Sequence, residues 1–130
     1  MSYYIQEVNR IKKICYSNKV QIEIAVNTKR YIDTNFDKEI SLDLLSHIQF
    51  TSKYHLIRVF KRYYGVTPRQ YLIDKRIENA KKILRTGKSV SDTCYMVGFE
   101  SINSFSNLFK AKTGMAPSVY RKAIFDKSKK

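Results

Sequence analysis

Two stretches of this 130-residue chain, 49 residues apart, place basic, amide and hydroxyl side chains on one face of a helical wheel. The residues on this face are Tyr54, Ile57, Arg58 and Lys61 in the first stretch and Asn103, Ser106, Asn107 and Lys110 in the second, and Ile57 is the one apolar residue among them. Neither set contains an acidic residue, whereas a merely solvated helix face usually mixes Glu with Lys. Arginine bonds to guanine, asparagine bonds to adenine, and an apolar side chain contacts the thymine methyl. The pattern therefore predicts two surfaces that read base edges.

Residues that could support other chemistry are few. Cys15 and Cys94 cannot form a disulfide framework and are too far apart for a zinc site, so both are expected to be reduced thiols. His47 and His55 fall on separate predicted helices without an H-E-x-x-H pattern. We therefore expect no catalytic residue, no metal and no cofactor.

The charge of the chain is strongly basic and uneven. The net charge is +14 with a pI near 9.9. Residues 1–40 carry seven Lys or Arg against five Asp or Glu, and residues 41–130 carry eighteen against six. A pI above about 9 is typical of nucleic-acid-binding domains. The basic part is the part that contains both candidate surfaces.

Bulk composition is that of a globular protein without a membrane span. The chain is 43% hydrophobic, which is enough for a core. No apolar run approaches the roughly 18 residues that a span needs. The first ten residues lack the apolar segment of a secretory signal, so a cytoplasmic location is expected.

One pattern, F-K-x3-G-x2-P-x2-Y, occurs twice. The copies are Phe60, Lys61, Gly65, Pro68 and Tyr71, and then Phe109, Lys110, Gly114, Pro117 and Tyr120. Both prolines and two of the four glycines of the chain fall in these copies. A fixed period of this length indicates a repeated supersecondary unit.

The elements that position these residues are all predicted to be helices. We expect helices over about 3–16, 20–35, 42–48, 52–64, 68–85, 90–97 and 102–113, and another beginning at Pro117. Short punctuation separates them: Ser17-Asn18 in the N-terminal part, Gly65, Gly87, Gly98 and Gly114 further on. Serines at 41 and 89 suit helix N-caps, and prolines at 68 and 117 suit first helical positions. A short helix, a tight turn and a longer helix form a helix-turn-helix, whose second helix enters the DNA major groove.

Apolar residues at helical spacing define the expected core. The longer helices contribute Leu56, Val59, Phe60 and Tyr63, then Phe105, Leu108 and Phe109, and the helix over 68–85 contributes Leu72, Ile73, Ile77, Ala80, Ile83 and Leu84. The N-terminal helices offer Ile5, Val8, Ile11 and Cys15, and then Ile24, Val26, Tyr31 and Ile32.

At these residues the chain resembles the DNA-binding domain of AraC/XylS-type transcription regulators. The resemblance covers about residues 24–122. Its most specific stretch is Val97, Gly98, Phe99, Glu100 and Ser101, followed by Phe105, Phe109, Lys110, Gly114, Pro117, Tyr120 and Arg121. Earlier matches are Ile40 to Leu42, Ser52 to Leu56, Arg58, Phe60, Lys61, Gly65, Pro68, Tyr71, Leu72, Arg76, Ala80 and Leu84.

The resemblance implies an all-α fold with two helix-turn-helix subdomains joined by a long central helix. The helical spacing of apolar residues in the N-terminal part adds an extra N-terminal helix to this fold. The expected domains are an N-terminal extension (1–22), a first subdomain (23–72), a linking helix (68–86), a second subdomain (87–125) and a basic tail (126–130). The two recognition helices are expected to enter successive major grooves of an asymmetric site. The implied DNA-binding residues are Ser52, Lys53, Tyr54, Ile57, Arg58, Lys61, Ser101, Ile102, Asn103, Ser106, Asn107 and Lys110.

Double-stranded DNA is the expected partner, and RNA polymerase is a candidate second partner for an activator. No membrane partner is expected. Residues 1–22 form one helix at most, so no small-molecule sensing domain is expected in this chain.

The chain departs from the family pattern at four positions. Ser46 and Cys94 stand where alanine is usual, and Phe50 stands where the first turn usually has glycine. Phenylalanine is disfavoured at positive φ, so Phe50 is expected to fit the tight first turn poorly. Asn107 stands where arginine is frequent, whereas its counterpart Arg58 is present, so the first motif is expected to supply more of the affinity.

Two other interpretations remain open on sequence alone. A nonspecific architectural or RNA-binding protein would also be basic and helical. An enzyme is disfavoured, because DNA-repair methyl acceptors that carry such a domain use a four-cysteine zinc site, which two cysteines cannot supply.

Overall fold

The structure is a computed structural model that describes residues 2–128, and the side chains of all of these except 14–16 and 127–128. The described chain contains seven helices and no strand, with 79% of residues helical. The helices are α1 (Tyr3–Asn35), α2 (Leu42–Ile48), α3 (Lys53–Tyr64), α4 (Pro68–Arg85), α5 (Val90–Met96), α6 (Ile102–Thr113) and α7 (Pro117–Ser128). The predicted all-α class is confirmed.

From α2 to α6 both predicted ends of each helix agree with the structure to within one residue, and α7 begins at Pro117 as predicted. In the N-terminal part the predicted break at Ser17-Asn18 is wrong, since α1 runs through it without interruption. Serine and asparagine lower helix stability by only a few tenths of a kcal/mol per residue, approximately, relative to better helix formers. Glycine and proline are the residues that end helices. α1 contains neither of those.

The chain divides into two compact units. Unit 1 comprises Met1–Tyr31 and Ser41–Pro68, and unit 2 comprises Ile32–Ile40 and Arg69–Lys130. In unit 1 three helices supply most of the buried side chains: Ile24, Ala25 and Thr28 on α1, Leu45 on α2, and Leu56, Val59 and Phe60 on α3. Pro68, the first residue of α4, is also buried. Thr28 satisfies its hydroxyl by donating to the carbonyl of Ile24 at 2.7 Å.

Unit 2 contains one continuous hydrophobic core. Its buried members are Ile77, Ala80, Leu84, Cys94, Val97, Phe99, Phe105 and Phe109. Aromatic rings run through it in series, with centroids 5.3 Å apart for Phe99 and Phe105, 5.7 Å for Phe105 and Phe109, and 5.4 Å for Phe109 and Tyr120. Offset and edge contacts of this kind are the favourable arrangements for aromatic pairs. The repeated Phe109 is therefore a core residue, and the partly buried Tyr120 packs against the core.

Some predicted core positions are exposed instead. Tyr63 is 39% exposed, and the neighbouring Tyr64 packs its ring 4.9 Å from that of Phe60. On α1, Val26 is exposed, while Ala25 and Thr28 are buried. Ile5 and Ile11 are also exposed. Two further predictions concern parts of the chain that the structure does not describe. These are the core position of the Cys15 side chain and the basic tail at Lys127, Lys129 and Lys130.

Candidate nucleic-acid interface

The first helix-turn-helix, called here the first motif, consists of α2, the turn 49–52 and α3. Its helix ends are fixed by local side chains. The Ser41 hydroxyl accepts from the amide of Leu44 at 3.0 Å, and the Ser52 hydroxyl accepts from that of His55 at 3.1 Å. Gly65 ends α3 in the left-handed conformation, at φ 78°. The two serine caps satisfy amides that the first helical turn leaves without partners. The amide of Gly65 donates to the carbonyl of Lys61 at the other end of α3.

The predicted recognition face of α3 is open to solvent. Tyr54, Arg58 and Lys61 are exposed and Ile57 is half-buried. The Arg58 guanidinium lies over the Tyr54 ring, 5.7 Å from its centroid. This cation–π contact restricts the flexible arginine on the exposed face. Within the described chain, no ion pair engages Arg58 or Lys61.

Lys53 differs from the other basic residues of the first motif because it has an acidic partner. Its ammonium lies 2.9 Å from the Asp43 carboxylate, and both side chains are largely exposed. Asp43 also occupies the first turn of α2, where a negative charge favours the helix dipole. The proximity of Asp43 to Lys53 depends on how α2 and α3 cross, so residue spacing alone does not predict this ion pair.

The second helix-turn-helix, called here the second motif, consists of α5, the turn 97–101 and α6. Ser89 caps α5 by accepting from the Asp92 amide at 3.0 Å, and Ser101 caps α6 by accepting from the Ser104 amide at 3.1 Å. Gly114 ends α6 at φ 83°. α5, α6 and α7 pack against one another within unit 2.

The predicted recognition face of α6 is also accessible, and it is uncharged except at Lys110. Asn103, Asn107 and Lys110 are exposed, Ser106 is half-buried, and Ile102 is 40% exposed. On both recognition helices the predicted serine contacts, Ser52 and Ser101, are the capping residues. Each hydroxyl oxygen accepts from the backbone, and its O–H remains available to donate.

The turn of the second motif is one residue longer than that of the first. Ser41 and Ser89 are 48 residues apart, whereas Ser52 and Ser101 are 49 apart. The amides of Phe50 and Gly98 make matching bonds, to the carbonyls of His47 and Tyr95, both at 3.2 Å. Phe50 therefore occupies the position of Gly98.

Phe50 keeps the turn geometry of glycine at the expense of strain. Its φ is 52°, and it is the one residue other than glycine with a positive φ in the described chain. A side chain in this region costs about 1–2 kcal/mol. The Phe50 side chain is 97% exposed. Phenylalanine thus fits this turn poorly, as expected: the turn conformation is retained, and Phe50 has a strained backbone.

Two arginines bond to backbone carbonyls in the connections that precede the short helices α2 and α5. Arg76 of α4 donates from Nε to the carbonyl of Phe36 at 2.7 Å and from its terminal nitrogen to that of Lys38 at 2.9 Å. Arg121 of α7 likewise bonds to the carbonyls of Lys88 and Gly87, both at 3.0 Å. Burial lowers the pKa of Arg76 below its ordinary value, and the charges of Asp37 and Glu100 oppose this shift. Both arginines belonged to the family resemblance, but their backbone partners could not be read from the sequence.

Arg76 and Gly98 meet at the turn of the second motif. The Arg76 guanidinium lies 5.4 Å from the centroid of the Phe99 ring. A Cβ added to Gly98 would lie 2.9 Å from the carbonyl oxygen of Phe36 and 3.1 Å from Nε of Arg76. Glycine is required here both by its φ of 99° and by the approach of the neighbouring backbone.

Cys94 lies in the core of unit 2 and is not part of a disulfide. Burial raises the pKa of the Cys94 thiol above its ordinary value, so the nucleophilic thiolate is disfavoured. Among the described residues, no group of three or more His, Cys, Asp or Glu side chains is placed to hold a metal ion. None of the described helices is long and apolar enough to cross a membrane.

Comparison with known proteins gives the same assignment as the geometry. A family model described as a helix-turn-helix domain matches residues 45–123. The chain is 38% identical over 92 residues to the bifunctional transcriptional activator/DNA repair enzyme AdaA of Bacillus subtilis, covering 70% of this chain and 44% of that protein. It is 35% identical over 112 residues to the transcriptional activator AarP of Providencia stuartii, covering 83% of each.

A solved structure has the same fold. The DNA-binding domain of the global transcriptional factor AdpA, determined with a target DNA, superposes with a TM-score of 0.67 at 24% identity. The match covers 79% of this chain and 90% of that one. The chain spans less than half the length of AdaA, and most of the length of AarP. The chain therefore belongs to the AraC/XylS family of DNA-binding transcription regulators, as shown by its two capped helix-turn-helix motifs, the family model and these relatives.

Proposed function

We propose that this protein regulates transcription by inserting α3 and α6 into successive major grooves of one asymmetric DNA site. In this proposal residues 23–72 and 87–125 act as two reading subdomains, and α4 links them as a rod. Its 18 residues give a length of about 27 Å at 1.5 Å per residue. Recognition helices placed one helical turn of DNA apart are separated by about 34 Å.

The observation that carries the proposal is the pair of open, acid-free faces on two capped helices. Arg58 and Lys61 on α3, and Asn107 and Lys110 on α6, are all exposed. Arginine and asparagine form two-bond contacts with guanine and adenine respectively, and lysine binds phosphate. Because the two faces carry different base-reading groups, the two half-sites should differ in sequence.

The first motif is proposed to supply more of the affinity. Arg58 brings a full charge to its face and is restrained by Tyr54, whereas Asn107 at the corresponding position is neutral. Charged hydrogen bonds are about twice as strong as neutral ones.

Activation is the proposed direction of regulation, because both relatives described above are named as activators. An activator on DNA makes RNA polymerase the candidate protein partner. The DNA-repair activity in the name of AdaA is not carried over, because the match spans only 44% of that protein.

The alternative is a nonspecific architectural or RNA-binding protein, which charge alone would allow. Selection of bound sequences from a random duplex pool separates the two. The proposal predicts one asymmetric consensus covering two unlike half-sites, with binding that weakens steeply as salt rises. A bound pool without any consensus at every salt concentration would sink the proposal.

Substitution of Arg58 tests the same point at one residue. Arg58→Ala should weaken binding to the selected site by about 1–3 kcal/mol and relax preference at one base pair. The matched control is Lys61→Ala, which should weaken binding to all duplexes by a similar factor and reduce the salt dependence. Equal losses on all sequences for both variants would favour nonspecific binding.

A further inference from the structure

Phe50 has a strained backbone conformation and an exposed side chain, and this side chain has no role in the fold of the first motif. It makes no contribution to a core, because 97% of its surface is open to solvent. Gly98 occupies the equivalent position of the second motif with the same hydrogen bond and no side chain. A glycine at 50 would therefore form the turn equally well and without strain.

A strained residue that the fold does not need points to a contact outside the chain. The surroundings of Phe50 indicate what it contacts. The shallow surface around it is lined by Ser46, His47, Thr51 and Ser52. A protein docking surface groups several apolar anchors, whereas hydroxyl and imidazole groups around a single aromatic ring suit the phosphates and sugars of a nucleic acid.

The position of the turn agrees with this partner. In a helix-turn-helix the first helix crosses the DNA backbone, and the N-terminal residues of the second contact base edges. Phe50 lies between them, two residues before Ser52, the cap of α3. In that docking geometry, a side chain that points out of the turn would lie against the wall of the major groove.

We propose that Phe50 makes an apolar contact with the major-groove wall of the half-site read by α3. Two groups there have the required chemistry, the 5-methyl of a thymine and the carbon face of a deoxyribose. Phenylalanine is among the side chains that contact the thymine methyl. The second motif, with Gly98 in this place, lacks the contact, so its half-site has one apolar requirement fewer.

The inference rests on the proposed function, and the substitution Phe50→Gly tests it by measuring stability and binding together. The relieved strain exceeds the entropic cost of a glycine, so the unfolding temperature should rise by about 2–5 °C. Affinity for the selected duplex should fall about 5- to 50-fold, because the buried ring is lost from the complex. A variant that is more stable and binds more weakly is the expected result.

Two controls define the chemistry. Phe50→Leu retains an apolar side chain and should retain most of the affinity. Tyr4→Ala removes another highly exposed aromatic side chain, 76% exposed and outside both motifs, and should leave binding unchanged. A loss in the leucine variant as large as in the glycine variant would contradict an apolar contact.

Replacing each thymine of the site by uracil separates the two groups on the DNA. If the partner is a thymine methyl, one of these replacements weakens DNA binding by the original protein about 3- to 5-fold. The same replacement leaves DNA binding by the Phe50→Gly variant unchanged. If the partner is deoxyribose, every uracil effect is the same in both proteins while Phe50→Gly remains weaker.

Failure of the inference is distinct from failure of the proposed function. If the original protein selects no sequence, the proposed function fails first. If it binds a selected duplex and Phe50→Gly binds that duplex equally well, the contact with DNA is excluded. Phe50 would then be assigned to a protein partner.

Discussion

At the scale of single residues, the charge of Lys53 is held by Asp43 and is only partly available to DNA. The two groups are 2.9 Å apart on an exposed surface, where an ion pair contributes about 0–1 kcal/mol. We expect Asp43→Asn to release Lys53 and to remove a negative charge from the binding surface. Affinity at low salt should rise by about 2- to 5-fold, and the slope of log affinity against log salt should steepen by about 0.9.

The matched control for this change is Glu78→Gln. Its carboxylate forms a comparably exposed ion pair with Lys82 along α4, outside the predicted contact residues. Both variants should lose less than about 1 kcal/mol of unfolding free energy. An identical salt slope in Asp43→Asn and the original protein would show that Lys53 does not reach phosphate.

At the scale of elements, the turns that join helices have different tolerances for side chains. Gly65 and Gly98 both have positive φ, but a Cβ on Gly65 would meet nothing within 4 Å. A Cβ on Gly98 would lie 2.9 Å from the Phe36 oxygen and 3.0 Å from the Asp37 carbonyl carbon. Gly65→Ala should therefore cost only the left-handed strain, about 1–2 kcal/mol.

Gly98→Ala should cost more, about 2–4 kcal/mol, since strain and steric overlap with rigid backbone combine. Urea unfolding of the two alanine variants measures the difference directly. Equal losses would mean that the connection 36–40 yields to the added methyl and that its contact with Gly98 contributes little.

The elements themselves were predicted well wherever their ends are local. Ser52 and Gly65 determine the bounds of α3 through bonds to residues within four positions, so the sequence pattern sufficed. The same reasoning failed at Ser17-Asn18, because weak helix formers lower helix stability without ending a helix. Tyr63 was misassigned to the core since helical spacing alone cannot show that Tyr64 packs on Phe60 instead.

At the scale of the whole molecule, the proposed function requires both motifs to bind one DNA face. Inserting five base pairs between the selected half-sites rotates one by about half a turn. We expect binding to fall to that of the first motif alone, a loss of roughly 10- to 100-fold. The measurement is a titration of the two duplexes at one fixed salt concentration.

A double variant provides the control for the spacing experiment. Asn103→Ala with Asn107→Ala removes the amides of the second motif and leaves its charge unchanged. This variant should bind the original and the lengthened duplex with similar, reduced affinity. If the insertion has no effect on the original protein, only one motif reads DNA.

The sequence alone determined the helices of the two motifs, the repeat and the family. Their signals are local, since a serine cap, a glycine stop or a face of like side chains depends on residues within one or two helical turns. The tertiary structure decided which side chains remain available for binding. Lys53 meets Asp43, Arg76 holds the carbonyls of Phe36 and Lys38, and Phe50 replaces a glycine while its ring stays in solvent. The ion pair and the arginine bonds join groups from different helices and connections, and the exposure of a ring depends on everything packed around it, so residue spacing could not reveal them.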